Sequence, residues 1–124
     1  MQVNLNAGFL MTRYCIPLLN NANQGAIVYN SDEKHSAYWG AYGIAKAGLA
    51  TLASILADEL ESRQIAVNSF DPGPVNTTLR KRAYPGEDAT TLPVPEDVAP
   101  YFTALLSGLI ASQGKMLKAG DFSA

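Results

Sequence analysis

Two short apolar runs separated by one long helical pattern constrain the fold of this chain more than any other feature. Residues 26–31, AIVYNS, and residues 65–71, IAVNSFD, are rich in β-branched and aromatic side chains, as buried strands are. Between them, residues 38–62 carry leucines at helical spacing on one face. Because a right-handed helical crossover joins consecutive parallel strands, this order predicts an α/β fold with a parallel sheet.

The segments outside this unit continue the alternation. Residues 2–20 predict a helix with an irregularity at Pro17, because proline removes a backbone donor. After the second strand, a loop of about 20 residues, longer than most connections, leads to Pro95, where proline and acidic residues predict a third helix that continues through Ile110. Residues 114–117 predict a last short strand. The sequence thus predicts about three strands and three main helices.

Composition limits the class of protein. The 124 residues suffice for one domain, 1–124, and 48% hydrophobic with 16% charged residues is typical of a globular chain. A net charge of −2 argues against a nucleic-acid surface, and the basic cluster Arg80, Lys81 and Arg82 is interpreted as a solvated loop. No apolar run approaches the length of a membrane span, so we expect no membrane partner.

Two single residues bear on compartment and metal binding. Cys15 is the only cysteine, which excludes an intrachain disulfide and fits a reducing compartment, so we expect cytoplasmic localisation. His35 is the only histidine and lies in a polar segment, where solvent exposure is expected. No cluster of metal-ligating residues is present in the pattern, and no metal site is predicted.

The long helix carries a chemically suggestive pair. Tyr42 and Lys46 stand four positions apart and therefore project from one helix face. An ammonium group favours a nearby phenolate, so the pair predicts a lowered tyrosine pKa and a role in proton transfer. The alternative is an ordinary packing pair on an amphipathic helix.

Small residues surround this pair. Gly40, Gly43 and Gly48, with the alanines between them, leave little side-chain bulk in the first half of the helix. Each helical glycine costs about 1 kcal/mol relative to alanine. That cost predicts a close approach by another helix or by a ligand.

Four motifs in order resemble the catalytic, carboxyl-terminal half of the short-chain dehydrogenase/reductase family. Tyr42 to Lys46 matches the Tyr-x-x-x-Lys motif, Ser31 ends the preceding strand, Asn4 lies in the preceding helix, and residues 72–77, PGPVNT, match Pro-Gly-x-Val-x-Thr. The stretches AYWGAY and AYPGEDATTLPVPEDV resemble the YciK-like subgroup of bacterial oxidoreductases. The resemblance implies a partial Rossmann-type parallel sheet.

The resemblance also implies roles in proton transfer. Tyr42 would be the acid/base for the substrate hydroxyl, and Lys46 would lower its pKa and bind the nicotinamide ribose. Ser31 would hold the substrate oxygen, and Asn4 would hold a water in a proton relay. Two alternatives stay open: Ser31 as a strand or turn cap, and Asn4 as a surface helix residue. Tyr42 follows Ser31 by eleven positions, about two fewer than the family pattern, which bears on the placement of the serine.

The remaining implications concern ligands and assembly. The cofactor would be NAD or NADP, and the substrate a small carbonyl compound or alcohol. The resemblance implies that six residues bind the cofactor: Tyr42, Lys46, Pro72, Gly73, Val75 and Thr77. The family assembles through helices equivalent to residues 2–20 and 38–62, which implies a homo-dimer or homo-tetramer.

The sequence lacks a glycine-rich turn after a strand, the element that receives a cofactor pyrophosphate. The expectation is therefore a fold without its N-terminal nucleotide-binding half, in which the strand at 26–31 lacks a neighbour and forms an edge. Two hypotheses follow: a truncated NAD(P)-dependent oxidoreductase, or a catalytically inactive fragment that serves as an oligomerisation or interaction module.

Overall fold

The structure, a computed structural model, describes residues 2–32, 38–108 and 112–122. His35 and Ile110 lie outside the described residues. The chain contains three strands in the described residues: β1 (Gly25–Asn30), β2 (Ile65–Asp71) and β3 (Met116–Lys118). They form one parallel sheet in the order β1-β2-β3, with Gly25 paired to Ile65 and Ser69 paired to Met116. The predicted α/β class and parallel sheet are confirmed.

The helices lie within the segments that the sequence predicts, with one addition, but the last long helix ends at Leu106, before the predicted end. The long ones are α1 (Ala7–Asn20), α2 (Gly40–Leu60) and α4 (Pro95–Leu106). The addition is a short helix, α3 (Thr78–Ala83), which lies in the region predicted to be a loop. The single-turn helices that complete the chain are Gln2–Asn6, Glu61–Arg63, Ala89–Thr91 and Ala119–Phe122.

The amino-terminal helix is irregular at a different place from the one predicted. It begins as a π-helix over Gln2–Asn6 and then runs as one α-helix through Pro17 to Asn20. A π-helical turn widens the backbone spacing, and such turns are frequent at functional sites.

The basic cluster was wrongly predicted to lie in a loop. Thr77 caps α3 by accepting a hydrogen bond from the Arg80 backbone N–H at 3.1 Å. The basic side chains then fall in the last turn of the helix, where they complement the negative end of the helix dipole. The Asn76 backbone N–H also donates to the Pro93 carbonyl at 2.9 Å, which closes the segment on itself.

The main core lies between α2 and one face of the sheet. Leu49, Leu56 and Leu60 pack on Ile65 and Val67, which alternate along β2 and so point to the same side. The small residues of α2 allow α1 and the π-helical turn before it to pack closely against α2. A Cβ atom at Gly48 would lie 3.0 Å from Leu5 Cδ1, so the predicted close approach is made by a helix at this position.

Aromatic residues fill the opposite face of the sheet. Phe70 is fully buried, with its ring centroid 5.5 Å from Tyr101, 4.9 Å from Phe102 and 5.7 Å from Phe122. This packing attaches α4 and the carboxyl-terminal turn to β2.

By length and composition alone, one helical segment in the described part of the chain, Gly40–Arg63, could cross a membrane. The expectation that no apolar run reaches this length is therefore wrong, because alanine, leucine and isoleucine together raise the hydropathy of this segment. Its buried residues pack on β2, and the core helix of a globular domain meets the same criterion.

Candidate functional site

A pocket of about 1010 Å³ opens at the carboxyl ends of β1 and β2. This is the edge where parallel α/β sheets bind ligands, since loops from neighbouring strands diverge there. The structure brings most of the predicted site residues into this pocket. They are Ser31, Tyr42, Lys46, Pro72, Gly73, Val75 and Thr77.

Tyr42 and Lys46 meet on one face of α2, as their spacing predicts. The Lys46 Nζ atom lies 5.9 Å from the centroid of the Tyr42 ring. It also donates a hydrogen bond to the Asn30 carbonyl at 3.1 Å, which fixes the ammonium group at the end of β1. Burial lowers the pKa of Lys46, and the Asp32 carboxylate opposes that effect.

The predicted lowering of the Tyr42 pKa is wrong in this structure. The Tyr42 hydroxyl donates a hydrogen bond to Asp32 Oδ2 at 3.1 Å. Burial, followed by the negative charge and hydrogen bond of Asp32 and then the charge of Asp71, raises the pKa of Tyr42 to about 12. The two carboxylates disfavour a phenolate, so Tyr42 is a neutral phenol here.

Ser31 is buried beside the pocket with an unsatisfied side chain. Its exposed fraction is 2%, and its backbone N–H donates to the Phe70 carbonyl at 2.8 Å, which extends the pairing of the two strands by one step. The Ser31 Oγ atom has no hydrogen-bond partner among the described residues. A buried hydroxyl without a hydrogen-bond partner lowers the stability of the fold, unless a ligand or a water molecule forms a hydrogen bond with it.

The segment after β2 presents backbone to the pocket. Gly73 has a φ of 70°, and a Cβ atom there would meet nothing within 4 Å. Its N–H donates to Asp71 Oδ1 at 2.8 Å, which holds the turn. The Thr77 hydroxyl oxygen accepts the cap hydrogen bond of α3.

Asn4 is not brought to this site. It is half-buried in the π-helical turn, and it is not among the described residues that line the pocket. Its role in a proton relay stays a prediction.

An aromatic wall, which the sequence reading did not predict, closes one side of the pocket. The Trp39 ring lies 5.6 Å from Tyr42 and 6.1 Å from Tyr84, between centroids. Arg80 stacks on Tyr84 at 3.8 Å and forms two hydrogen bonds of 2.8 Å with the Glu87 carboxylate. Stacking on an aromatic face and pairing with a carboxylate together hold the Arg80 side chain against the segment that follows α3.

Two carboxylates of the pocket were also missed. Asp71 is the last residue of β2 and 9% exposed, and Asp32 lies two residues after the end of β1. A sequence signal existed for both, because an acidic residue at the carboxyl end of a buried parallel strand lies at the ligand-binding edge.

Comparison with known proteins agrees with this geometry. The family model described as short chain dehydrogenase matches residues 1–88. An uncharacterised oxidoreductase from Escherichia coli K12, YciK, is 37% identical over 109 residues, which cover 86% of this chain and 43% of that protein.

Solved structures of short-chain dehydrogenases superpose on most of this chain. One from Salmonella enterica serovar Typhi has a TM-score of 0.89 and 34% identity, covering 95% of this chain and 50% of its own. One from Shigella flexneri, complexed with NADP, has a TM-score of 0.88 and 32% identity. The match covers 96% of this chain and 51% of the Shigella chain. The chain thus spans about half the length of the relatives it matches. It belongs to the short-chain dehydrogenase family and is similar to the YciK-like members of that family.

Proposed function

We propose that this chain carries the proton-transfer and nicotinamide-side half of an NAD(P)-dependent oxidoreductase that interconverts small carbonyl compounds and alcohols. The observation that carries the proposal is the pocket itself. Tyr42, Lys46 and Ser31 converge there from two elements, and the Ser31 hydroxyl is buried with its hydrogen-bonding capacity unused. A substrate oxygen placed between the two hydroxyls would accept a hydrogen bond from Ser31 Oγ, and it would accept the Tyr42 proton once the phenol turns from Asp32.

The residues present fit the nicotinamide end of the cofactor. Gly73 leaves open space beside the backbone where a side chain would otherwise intrude, and Lys46 offers N–H donors at the pocket wall. Pro72, Val75 and Thr77 line the same side. When bound, the nicotinamide supplies or accepts the hydride. NADP is the cofactor named for the Shigella relative, and for this chain NAD and NADP both remain proposals.

In this proposal the chain moves one proton. Tyr42 donates it from its hydroxyl to the oxygen of a carbonyl substrate, or accepts it from an alcohol in the reverse direction. Lys46 orients the ribose and supplies positive charge, and Ser31 holds the substrate oxygen. Asn4 would act only through an ordered water of a proton relay, because it does not line the pocket. We place this activity in the cytoplasm, consistent with a single free cysteine.

Titration of the chain with NADPH, followed by fluorescence, tests the proposal. Saturable binding is expected, and Lys46→Met should weaken it, because Lys46 lines the pocket. Lys81→Met, a change on the exposed side of α3 away from the pocket, is the matched control and should leave binding unchanged. Equal affinity in Lys46→Met and Lys81→Met would contradict the assigned contact.

A second candidate function is an interaction module without catalysis. The observation that favours it is an apolar surface on the outer sides of α1 and α2. Its members are each at least 45% exposed: Phe9, Leu10, Met11, Tyr14, Leu18, Ile44 and Ile55. Exposed apolar clusters of this kind mark contacts between proteins. Absence of NADPH binding in a chain that forms stable oligomers would support this candidate and overturn the first.

A further inference from the structure

Tyr42 and Asp32 form a hydrogen bond within the pocket. The phenol donates to Oδ2 at 3.1 Å, and both residues line the pocket, one from the start of α2 and the other from the end of β1. Asp32 is thus a direct partner of the atom that would transfer the proton. Lys46, the cation nearest in sequence, lies beside the ring and donates to the Asn30 carbonyl instead.

We propose that Asp32 is a positioning residue that holds the Tyr42 hydroxyl proton and keeps the tyrosine a proton donor, so that the site is set for carbonyl reduction. This inference rests on the proposed function. It assigns a direction to the reaction and a role to a residue outside the matched family motifs.

The two carboxylates that face Tyr42 favour a neutral phenol, and the cations of the pocket oppose them. Asp32 and Asp71 approach from the ends of β1 and β2, and their negative charges both disfavour a phenolate. From α2, Lys46 acts in the opposite sense, at 5.9 Å from the ring centroid. From α3, Arg80 lines the pocket, but Glu87 binds its guanidinium through two hydrogen bonds of 2.8 Å. Lys118 lines the pocket from the end of β3.

The proton balance of the reaction explains why this arrangement favours reduction. The carbonyl carbon receives a hydride, with its electron pair, from a reduced nicotinamide. For the transfer, the Tyr42 O–H turns from Asp32 to the carbonyl oxygen, which receives the proton. The phenolate that remains is reprotonated from water after the alcohol leaves, and its hydroxyl donates to Asp32 again. A tyrosine that stays protonated is ready as the acid at any pH below its own pKa.

Alcohol oxidation needs the opposite form of the residue. Tyr42 would have to be a phenolate before it could accept the alcohol proton. With the pKa of Tyr42 raised to about 12, that form is scarce near neutral pH, and oxidation should gain rate only in alkaline solution.

The test is an NMR titration of the chain with ¹³C-labelled tyrosine rings. The Tyr42 signal is identified by its loss in Tyr42→Phe, and its ionisation is followed as the pH rises. Asp32→Asn keeps the shape of the side chain and removes its charge. We expect ionisation of Tyr42 to begin at lower pH in this variant, shifted part of the way toward the ordinary midpoint of 10.0, because burial of the phenol remains.

Three further variants make the result specific. Asp32→Glu restores the charge and should restore the high midpoint. Asp71→Asn retains an oxygen that can accept from the Gly73 N–H, and it should lower the midpoint by less than Asp32→Asn does. Asp58→Asn removes an exposed carboxylate from the same helix as Tyr42 and should change nothing. Circular dichroism at each pH verifies that the fold persists.

The outcomes separate this inference from the proposed function. A midpoint in Asp32→Asn equal to that in Asp58→Asn would overturn the role of Asp32 and leave NADPH binding untouched. If Asp32→Asn does not fold, Asp32→Ser, which also removes the charge, takes its place, and a midpoint equal to that in Asp58→Asn would overturn the role of Asp32. Failure of NADPH binding with the expected NMR shifts would overturn the proposed function alone.

Discussion

The Tyr42 hydroxyl lies 3.1 Å from the Asp32 carboxylate, and this contact makes the fold sensitive to alkali. Tyr42 has a pKa of about 12 in the folded chain against an ordinary 10.0, so the folded state holds the proton more tightly than the unfolded state does. The resulting stabilisation is fully present below pH 10.0 and is lost as the pH rises toward 12.

We therefore predict that the free energy of unfolding falls more steeply with alkaline pH in the unaltered chain than in Tyr42→Phe. Urea denaturation at a series of pH values above 9 measures both slopes. Tyr14→Phe, which removes an exposed phenol of α1, should keep the slope of the unaltered chain. Parallel slopes for Tyr42→Phe and the unaltered chain would contradict the prediction.

Phe70→Ala should be among the most destabilising single substitutions in the chain. Its ring is fully buried and packs against the rings of Tyr101, Phe102 and Phe122. Truncation of such a residue costs about 3–5 kcal/mol, since it removes buried area and leaves a cavity. Phe9→Ala, at a residue 51% exposed on α1, is the matched control and should cost about 1 kcal/mol or less. The midpoints of urea denaturation measure the difference in stability. Equal midpoints for the two variants would contradict the central position of Phe70 in the aromatic core.

Gly114→Ala should destabilise the attachment of β3. Gly114 has a φ of 70°, and an added Cβ atom would lie 3.1 Å from the Cβ atom of Ala57. The strained backbone alone costs about 1–3 kcal/mol. Gly86→Ala, where an added Cβ meets nothing within 4 Å, should change stability by less than about 1 kcal/mol. Thermal unfolding of the two variants provides the comparison, and a Gly114→Ala variant as stable as Gly86→Ala would contradict the close approach.

The apolar surface of α1 should mediate self-association. Met11 and Leu18 are 67% and 72% exposed on that helix. The double substitution Met11→Glu with Leu18→Glu therefore places two negative charges in any interface that α1 forms with another chain. We predict that the double variant sediments as a monomer in analytical ultracentrifugation while the unaltered chain forms a dimer or tetramer. Leu106→Glu, at an exposed leucine of α4, is the control and should not change the oligomer. An unchanged oligomeric state in the double variant would exclude this surface as the site of self-association.

Features that depend on local pattern could be predicted from the sequence. The second strand was predicted at its observed bounds, Ile65–Asp71, and the first within one residue, because a short run of β-branched and aromatic residues signals a buried strand directly. Pro95 opens α4 as expected, with the Asp97 carboxylate accepting from the Val94 N–H at 3.0 Å.

Features that depend on contacts across the chain could not be predicted. Helix α3 is held by the Thr77 cap and by a hydrogen bond from Asn76 to Pro93, which no periodic pattern shows. The direction of the Tyr42 pKa shift was wrong for the same reason. It is set by burial and by two carboxylates brought there by the ends of different strands, whereas the sequence showed only the lysine on the same helix.

The most direct measurement is carbonyl turnover with NADPH by the unaltered chain and by Tyr42→Phe, against a panel of aldehydes and ketones. We predict that the substitution lowers kcat by about 10²–10⁴-fold, the contribution of a positioned proton donor, and leaves the NADPH dissociation constant nearly unchanged. Tyr14→Phe should retain full turnover. Turnover by Tyr42→Phe equal to that of the unaltered chain would contradict the assignment of Tyr42 as the proton donor.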